Sequence, residues 1–540
     1  MKYFLPALLL FASALPAQTL VEVKDILPGA ANSLPNSFTF YNGYTYFQAT
    51  DSTHGTELWR TDGTTAGTQL FIDIVPGKNS SSPSQLYVVN NKLVFWADDQ
   101  IHGAELWATD GTVAGTILIK DINPGNATSH SQNNYGTFLQ FQNRLYFTPL
   151  DSVHGTEVWY TDGTAANTAL LRDIARQNES SFPYLSLIVP AGNAFYFTAT
   201  DSAYGNEIWI SDGTTSGTHV ALDLMPGLVS SYPSVFCNYR GKTYFSYYGA
   251  NGNELYGTDG TLANTALVKD INLAGDGFPI PVTVVNDRLV FTADDGVHDR
   301  ELWSSDGTAA NTKMIADIDS STIAAAGSTP GRFCVNGNYL YFVAYDSAHG
   351  YEPYITDGTD TGTRMIMDVR PGPSSSIAGW AEGFLAAGNK VFFKASTDAD
   401  GTEFWESDGT AANTKMVLPQ FVPGPGHGDP IDYRLCNTSI YMQGKNSTDG
   451  FELWKIDGVV SGLTEIAATR MQVFPNPCSK MLTIAGADEA ASIQLFDVSG
   501  RLLRVETGAT IGVDGLDNGL YLVRVTSHGE THAAEVVVSK

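Results

Sequence analysis

About nine copies of one short motif recur along this chain of 540 residues, and that recurrence restricts the fold more than any other feature. The first copy is Glu57-Leu58-Trp59-Arg60-Thr61-Asp62-Gly63-Thr64. It returns at Glu105-Leu106-Trp107, Glu157-Val158-Trp159, Glu207-Ile208-Trp209, Glu254-Leu255-Tyr256 and Glu301-Leu302-Trp303. Three more copies stand at Glu352-Pro353-Tyr354, Glu403-Phe404-Trp405 and Glu452-Leu453-Trp454. An Asp-Gly pair follows each copy, as at Asp110-Gly111, at Asp457-Gly458 and at the pairs begun by Asp162, Asp212, Asp306 and Asp408. The period is roughly 47–52 residues, in the range of propellers and solenoids.

One unit, Pro76 to Ile122, reads as four strands. Gln85–Val89 alternates weakly and Asn90-Asn91 turns the chain. Leu93–Ala97 is strongly apolar, His102-Gly103 makes the next turn, and Glu105–Thr109 alternates. Asp110-Gly111-Thr112 turns again, Thr116–Ile122 is the last strand, and Asn123-Pro124-Gly125 leads out. Turn signals at such short intervals, with no helical period, predict an all-β fold. Four strands per unit match a propeller blade. Val21–Ile26 with Pro28-Gly29 looks like the last strand of a unit with no unit before it, and the final unit is cut short near Leu463–Ile466. The N-terminal strand is therefore expected to complete the last unit and close a ring of about nine four-stranded units, which would remove exposed sheet edges.

A net charge of −27 works against nucleic-acid binding and against anionic membrane surfaces. It suits solubility outside the cell, and it leaves open Ca²⁺ ligation by carboxylates. Lys2 followed by the apolar run Phe4–Leu15 and small residues up to Ala17 reads as a signal peptide over residues 1–17. No later stretch is long and apolar enough for a spanning helix. Export would permit disulfides, yet Cys237 and Cys334 hold the same position in two non-adjacent units and Cys436 lies near it in a third. Equivalent positions in separate units are too far apart to bridge, so buried free thiols are expected.

The motif has a physical reading. Gly accepts φ > 0, Asp bonds the backbone two residues on, and the following Thr can cap the same turn. His54, His102, His154 and His349 each precede a Gly at the earlier turn, where Asn251, Asp400 and Asp449 stand in other units. Interchange of His, Asn and Asp predicts a left-handed turn position and not a metal or catalytic histidine. The motif Trp is expected to fill the wedge between units, with ligand stacking as the alternative. The motif Glu is expected to bond turn amides or Thr hydroxyls of a neighbouring unit; surface carboxylate and Ca²⁺ ligand are the other readings. No Gly-x-Ser-x-Gly, His-Glu-x-x-His or P-loop is present. Chemistry, if any, belongs where the repeat is broken: Asn126–Tyr135, Ser320–Arg332, or Val422–Tyr433 with His427, Asp429 and Asp432.

From about Val21 to Ile466 the repeat resembles the family of exported bacterial proteins with ELWxxDGT repeats, a family that brings no settled activity. Tyr256 and Pro353-Tyr354 depart from its consensus. Composition shifts near Arg470, and residues 467–540 read as a small Ig-like β-sandwich, against a propeller over 18–466. Pro475-Asn476-Pro477, Ile493–Asp497 with Gly500, and Gly519-Leu520-Tyr521 with the strand that follows resemble the type A C-terminal sorting domain of the type IX secretion pathway. The resemblance implies recognition by that machinery and release or attachment at the cell surface. The function expected is an exported binding or adhesion protein with a glycan or protein ligand. The alternative is an extracellular polysaccharide hydrolase or lyase, and a third reading is a matrix component.

Overall fold

The computed structural model describes residues 19–130, 138–176, 179–188, 193–320, 327–378 and 382–459, and shorter stretches within 473–538. The chain divides into two compact units, residues 1–460 and 461–540. The signal-peptide reading of residues 1–17, Cys478 and the sorting-motif residues Pro475, Asn476, Pro477 and Gly500 lie outside the described residues.

In the first unit the described residues form successive four-stranded antiparallel sheets. Sheet 1 is β1 (Asn36–Tyr41), β2 (Tyr44–Asp51), β3 (Gly55–Thr61) and β4 (Gln69–Ile72), paired in that order. Each later repeat builds a sheet in the same order, over 84–120, 139–172, 184–222, 234–269, 280–316, 331–365 and 385–416. The ninth contains Ile431–Cys436, Ser439–Gly444 and Glu452–Ile456, and its fourth strand is Leu20–Lys24. That N-terminal strand pairs antiparallel with Glu452–Ile456, Leu20 opposite Ile456 and Glu22 opposite Trp454. The only helical pieces among the described residues are three-residue 3-10 turns at Ala165–Asn167, Leu262–Asn264 and Ala411–Asn413.

Why the sheets stack follows from their alternation. The second strand of each is apolar on both faces; Tyr46 and Phe47 in β2 are both fully buried. One face packs on the sheet before and the other on the sheet after. Tyr46, Leu58 and Phe71 of sheet 1 join Leu93, Phe95 and Ala97 of sheet 2. Phe38, Phe47 and Trp59 of sheet 1 join Val23, Tyr441 and Leu453 of the ninth sheet. The same kind of cluster joins sheets 2 and 3, 3 and 4, and so on to sheets 8 and 9. The last sheet thus packs on the first, and the stack is closed.

The second unit is also all β. Val473–Phe474, Met481–Ile484 and Thr510–Gly512 form one sheet. Leu502–Thr507, Ser492–Asp497, Gly519–Ser527 and Glu530–Val538 form the other. Leu482, Ile493, Leu495, Val523 and Val536 fill a shared core, which Tyr521 also enters. Gly519 opens the strand that carries Tyr521.

Candidate functional site

The motif carboxylates lie inside the molecule. Glu57 is fully buried, as are Glu105, Glu157, Glu207, Glu254, Glu301, Glu352 and Glu452, and Glu403 is nearly so. Each accepts hydrogen bonds from the connection that leaves its own sheet for the next. Glu57 accepts from Ile74 N (3.1 Å), Ser81 N (2.9 Å) and Ser81 Oγ (2.5 Å). Glu105, Glu207 and Glu352 hold Ser129, Ser231 and Ser376 in the same way. In two repeats the serine is replaced, and Glu254 takes Gly277 N while Glu403 takes Phe421 N and Val422 N. Glu452 does the same across the closure, accepting from Ile26 N (2.7 Å), Ser33 N (3.2 Å) and Ser33 Oγ (2.6 Å). The hydroxyl partners are serines and not the threonines anticipated. Burial dominates these carboxyls and pushes Glu105, Glu157, Glu352, Glu403 and Glu452 up to about 7.

The aromatic residue two places on lies between sheets. Trp59, Trp159, Trp209, Trp303, Trp405 and Trp454 are buried; Trp107 is less so. Tyr256 and Tyr354 occupy the same place, also buried. The Tyr354 hydroxyl donates to Asp346 at 2.9 Å. At the following turn Asp62 Oδ1 accepts from Thr64 N and Thr64 Oγ1, and Gly63 has φ of 90°. The turns at Asp110, Asp162, Asp212, Asp306 and Asp408 repeat these bonds.

At the earlier turn the structure corrects the reading of the histidines. The left-handed residue is the glycine: Gly55 has φ of 69°, while His54 is not left-handed. His54 Nδ1 lies 2.8 Å from Asp51 Oδ2, and His102, His154, His298 and His349 are held by Asp99, Asp151, Asp295 and Asp346. A Cβ on Gly55 would stand 2.6 Å from the Asn79 carbonyl, so this position needs glycine for space as well as for φ.

The thiols need a smaller correction. Cys436 is buried, but Cys237 and Cys334 are only half-buried; all three are free. Burial pushes the Cys237 and Cys436 thiols up to about 11.

The broken segments do not assemble a reactive group. Residues 131–137 and 321–326 lie outside the described residues, which leaves Val422–Tyr433. There His427 Nδ1 accepts from Thr402 N at 3.1 Å, replacing the serine hydroxyl that Ser80 offers Thr56 N. Asp429 pairs with Lys445 at 3.3 Å. Asp432 is drawn elsewhere: its Oδ2 accepts from Ser37 N at 2.6 Å, and its own N donates to Glu382. Burial, with Glu382 nearby, pushes Asp432 up to about 6. Among the described residues no three Asp, Glu, His or Cys side chains converge as metal ligands.

What breaks the sameness lies one residue after the clamped serine. There the chain turns into the next sheet, and the residue is left-handed at Leu34, Ser82, Phe182, Tyr232, Phe278, Thr329 and Asp429. Phe182, Tyr232 and Phe278 lead into sheets 4, 5 and 6 and are 58%, 61% and 40% exposed. A bulky side chain at positive φ costs on the order of 1–2 kcal/mol, and an exposed ring recovers little of that by burial. Three in succession form an arc of strained, solvated aromatics. Tyr184 and Tyr248 beside them are exposed too, and the Tyr248 ring meets Phe278 edge-on at 6.2 Å between centroids. Sequence reasoning missed these rings because it inspected the motif. Aligning the repeats on the motif Glu would have placed Phe182 and Tyr232 in one column, just past the serine 24 residues on, with Phe278 one place earlier because Gly277 stands 23 residues after Glu254.

Residues 472–539 match the secretion system C-terminal sorting domain. This sorting domain is of the type IX pathway; it indicates export to the cell surface or extracellular space and implies interaction with that secretion machinery. No helix among the described residues is long and apolar enough to cross a membrane. No curated protein matches the chain. Solved structures similar to it include a β-propeller domain. A study of two prolyl endopeptidases is 10% identical, with 83% of this chain and 55% of that one covered and a TM-score of 0.39. A puromycin hydrolase is 10% identical, covers 77% and 58%, and has a TM-score of 0.34. The β-propeller domain of the Trilobed protease from Pyrococcus furiosus is 11% identical, covers 72% and 99%, and also has a TM-score of 0.34. The chain spans little more than half the length of the first two. Likeness at this level carries nothing about activity.

Proposed function

We propose that the chain is an exported binding module, a nine-bladed propeller of ELWxxDGT repeats delivered by its sorting domain to the cell surface or the medium. The observation that carries the reading is the aromatic arc. Phe182, Tyr232 and Phe278 hold costly backbone geometry and keep their rings in water, which a purely structural position has no reason to do. Ring faces at regular intervals on a rigid scaffold suit the apolar faces of successive sugars in a polysaccharide. The motif Glu, Trp and Asp-Gly residues are the scaffold in this reading; the carboxylates are occupied by internal bonds and the Trp rings are packed between sheets. Residues 1–17 act as the signal peptide for passage into the periplasm.

The test is a polysaccharide retention assay with the purified full chain and its Phe182→Ala/Tyr232→Ala/Phe278→Ala variant. The wild type is expected to be retarded by at least one polysaccharide and the variant to lose most of that retardation. Equal retardation of the two, or none by the wild type, overturns the reading.

A further inference from the structure

We infer that a cavity between the outer strands of sheets 3 and 4 is a binding site for a carboxylated sugar. It measures about 380 Å³ and is lined by Arg172 and Arg176 on one side. Tyr204, Trp209 and His219 line it on the other, with Asp173 and Asp201 at its edges. Its size lies at the small end of ligand pockets, which suits one sugar unit with its neighbours outside.

Three departures from the repeat converge here. Arg176 stands where Pro28, Pro76, Pro124 and Pro226 stand in other repeats, and it is left-handed with φ of 59°. Its N–H donates to Asp173 Oδ1 at 3.1 Å, which fixes the turn and leaves the guanidinium unpaired among the described residues. Tyr204 replaces the histidine that elsewhere holds the turn aspartate. Asp201 Oδ1 therefore keeps the Ala203 and Tyr204 amides, at 2.9 and 2.7 Å, but has no imidazole on Oδ2. His219 is the third, set where Gln69 and Ile117 stand in sheets 1 and 2.

Donors dominate the interior. Arg172 is tethered to the Thr218 carbonyl and lies over the Trp209 ring at 5.8 Å, and no carboxylate pairs with it among the described residues. Trp209 is 2% exposed, and its Nε1–H has no hydrogen-bond partner. Other motif indoles share that unpartnered N–H, as at Trp59 and Trp303, but there no guanidinium pair accompanies it in such a cavity. In a chain with 30 basic residues against 57 acidic ones, a cavity whose two guanidiniums equal its two carboxylates in number is locally rich in positive charge. A ligand carboxylate would accept from the guanidiniums. The free oxygens of Asp173 and Asp201 would accept from sugar hydroxyls, and the exposed Tyr204 ring offers a stacking face. A sugar sets several hydroxyl donors on one ring beside its carboxylate, whereas an acidic peptide offers the aspartates only its backbone amides.

The experiment is calorimetric titration of the full chain with tetragalacturonate, its methyl ester, and an oligoglutamate peptide. The free acid is expected to bind at least about tenfold more tightly than the ester or the peptide. Arg176→Asn, which tolerates the left-handed turn, and Arg172→Gln, which removes the other guanidinium, should each weaken binding by about tenfold. One lost charge-assisted bond is of that size. Unchanged melting temperatures show that both variants fold. The triple variant of the aromatic arc should still bind the free acid, which separates this site from the arc. No binding of the free acid, equal binding of acid and ester, preference for the peptide, or full affinity in both single variants overturns the assignment.

Discussion

Replacing Glu452 by alanine should open the ring at its seam. The carboxylate accepts from Ile26 N, Ser33 N and Ser33 Oγ, across more than 400 residues of chain. Ser33 N–H and O–H also reach the Phe451 carbonyl, so after the substitution only the Ile26 amide is stranded. A stranded buried donor costs about 1–3 kcal/mol, and each weakened neutral bond about 0.5–1.5 kcal/mol. Removing a desolvated carboxyl returns part of this, because burial holds Glu452 up at about 7. The expected loss is about 2–4 kcal/mol in denaturant unfolding followed by tryptophan fluorescence. The location of the loss discriminates further. Leu20–Lys24 is held by its pairing with Glu452–Ile456 and by burial of Leu20 and Val23. Its amides should exchange with deuterium far faster in Glu452→Ala, while those of sheets 3 to 6 change little. Glu207→Ala removes equivalent bonds from Leu224 and Ser231 but should leave exchange at Leu20–Lys24 alone. If protection at that strand responds equally to both variants, or to neither, the account of Glu452 as the seam clamp is wrong.

Stability should fall as pH rises from about 5 to 8. The buried motif carboxyls have folded pKa values raised towards 7, so their contribution is complete below the free-glutamate range and is lost through about 7. His54, His298 and His349, held above their usual value by their aspartate partners, act in the same direction. Melting temperature against pH measures this, and Glu452→Gln should flatten the slope. Gly55→Ala should cost about 2–3 kcal/mol in denaturant unfolding, since φ is positive and the Asn79 carbonyl is in the way; Gly241→Ala, at a similar φ but with open space around it, should cost about 1 kcal/mol. Trp59→Ala should cost about 3–5 kcal/mol by the same measurement, because the ring fills the wedge between the first and ninth sheets. Tyr232→Asn should raise stability by about 1 kcal/mol while weakening polysaccharide retention, since asparagine tolerates the left-handed backbone that strains tyrosine.

By itself the sequence settled what depends on neighbours in the chain. Leu93–Ala97 between Asn90-Asn91 and His102-Gly103 could only be a strand between turns, and Asp62 with Gly63 and Thr64 closes a turn by bonds spanning two residues. The orphan strand at the N-terminus and the short last unit pointed to the pairing of Leu20–Lys24 with Glu452–Ile456 for the same reason: an unpaired edge is costly. What only the tertiary structure decided depends on which distant backbone crosses a given side chain. Glu57 looked alike as a surface group, a metal ligand or a clamp until the crossing of Ile74 and Ser81 made its burial tolerable. The left-handed residue at the earlier turn proved to be Gly55 and not His54, because the Asn79 carbonyl leaves no room for a side chain there. Phe182 and Tyr232 read as unremarked loop residues. Whether a ring beside a turn is buried or left in water is set by the packing of two sheets, and no local pattern of residues records that packing.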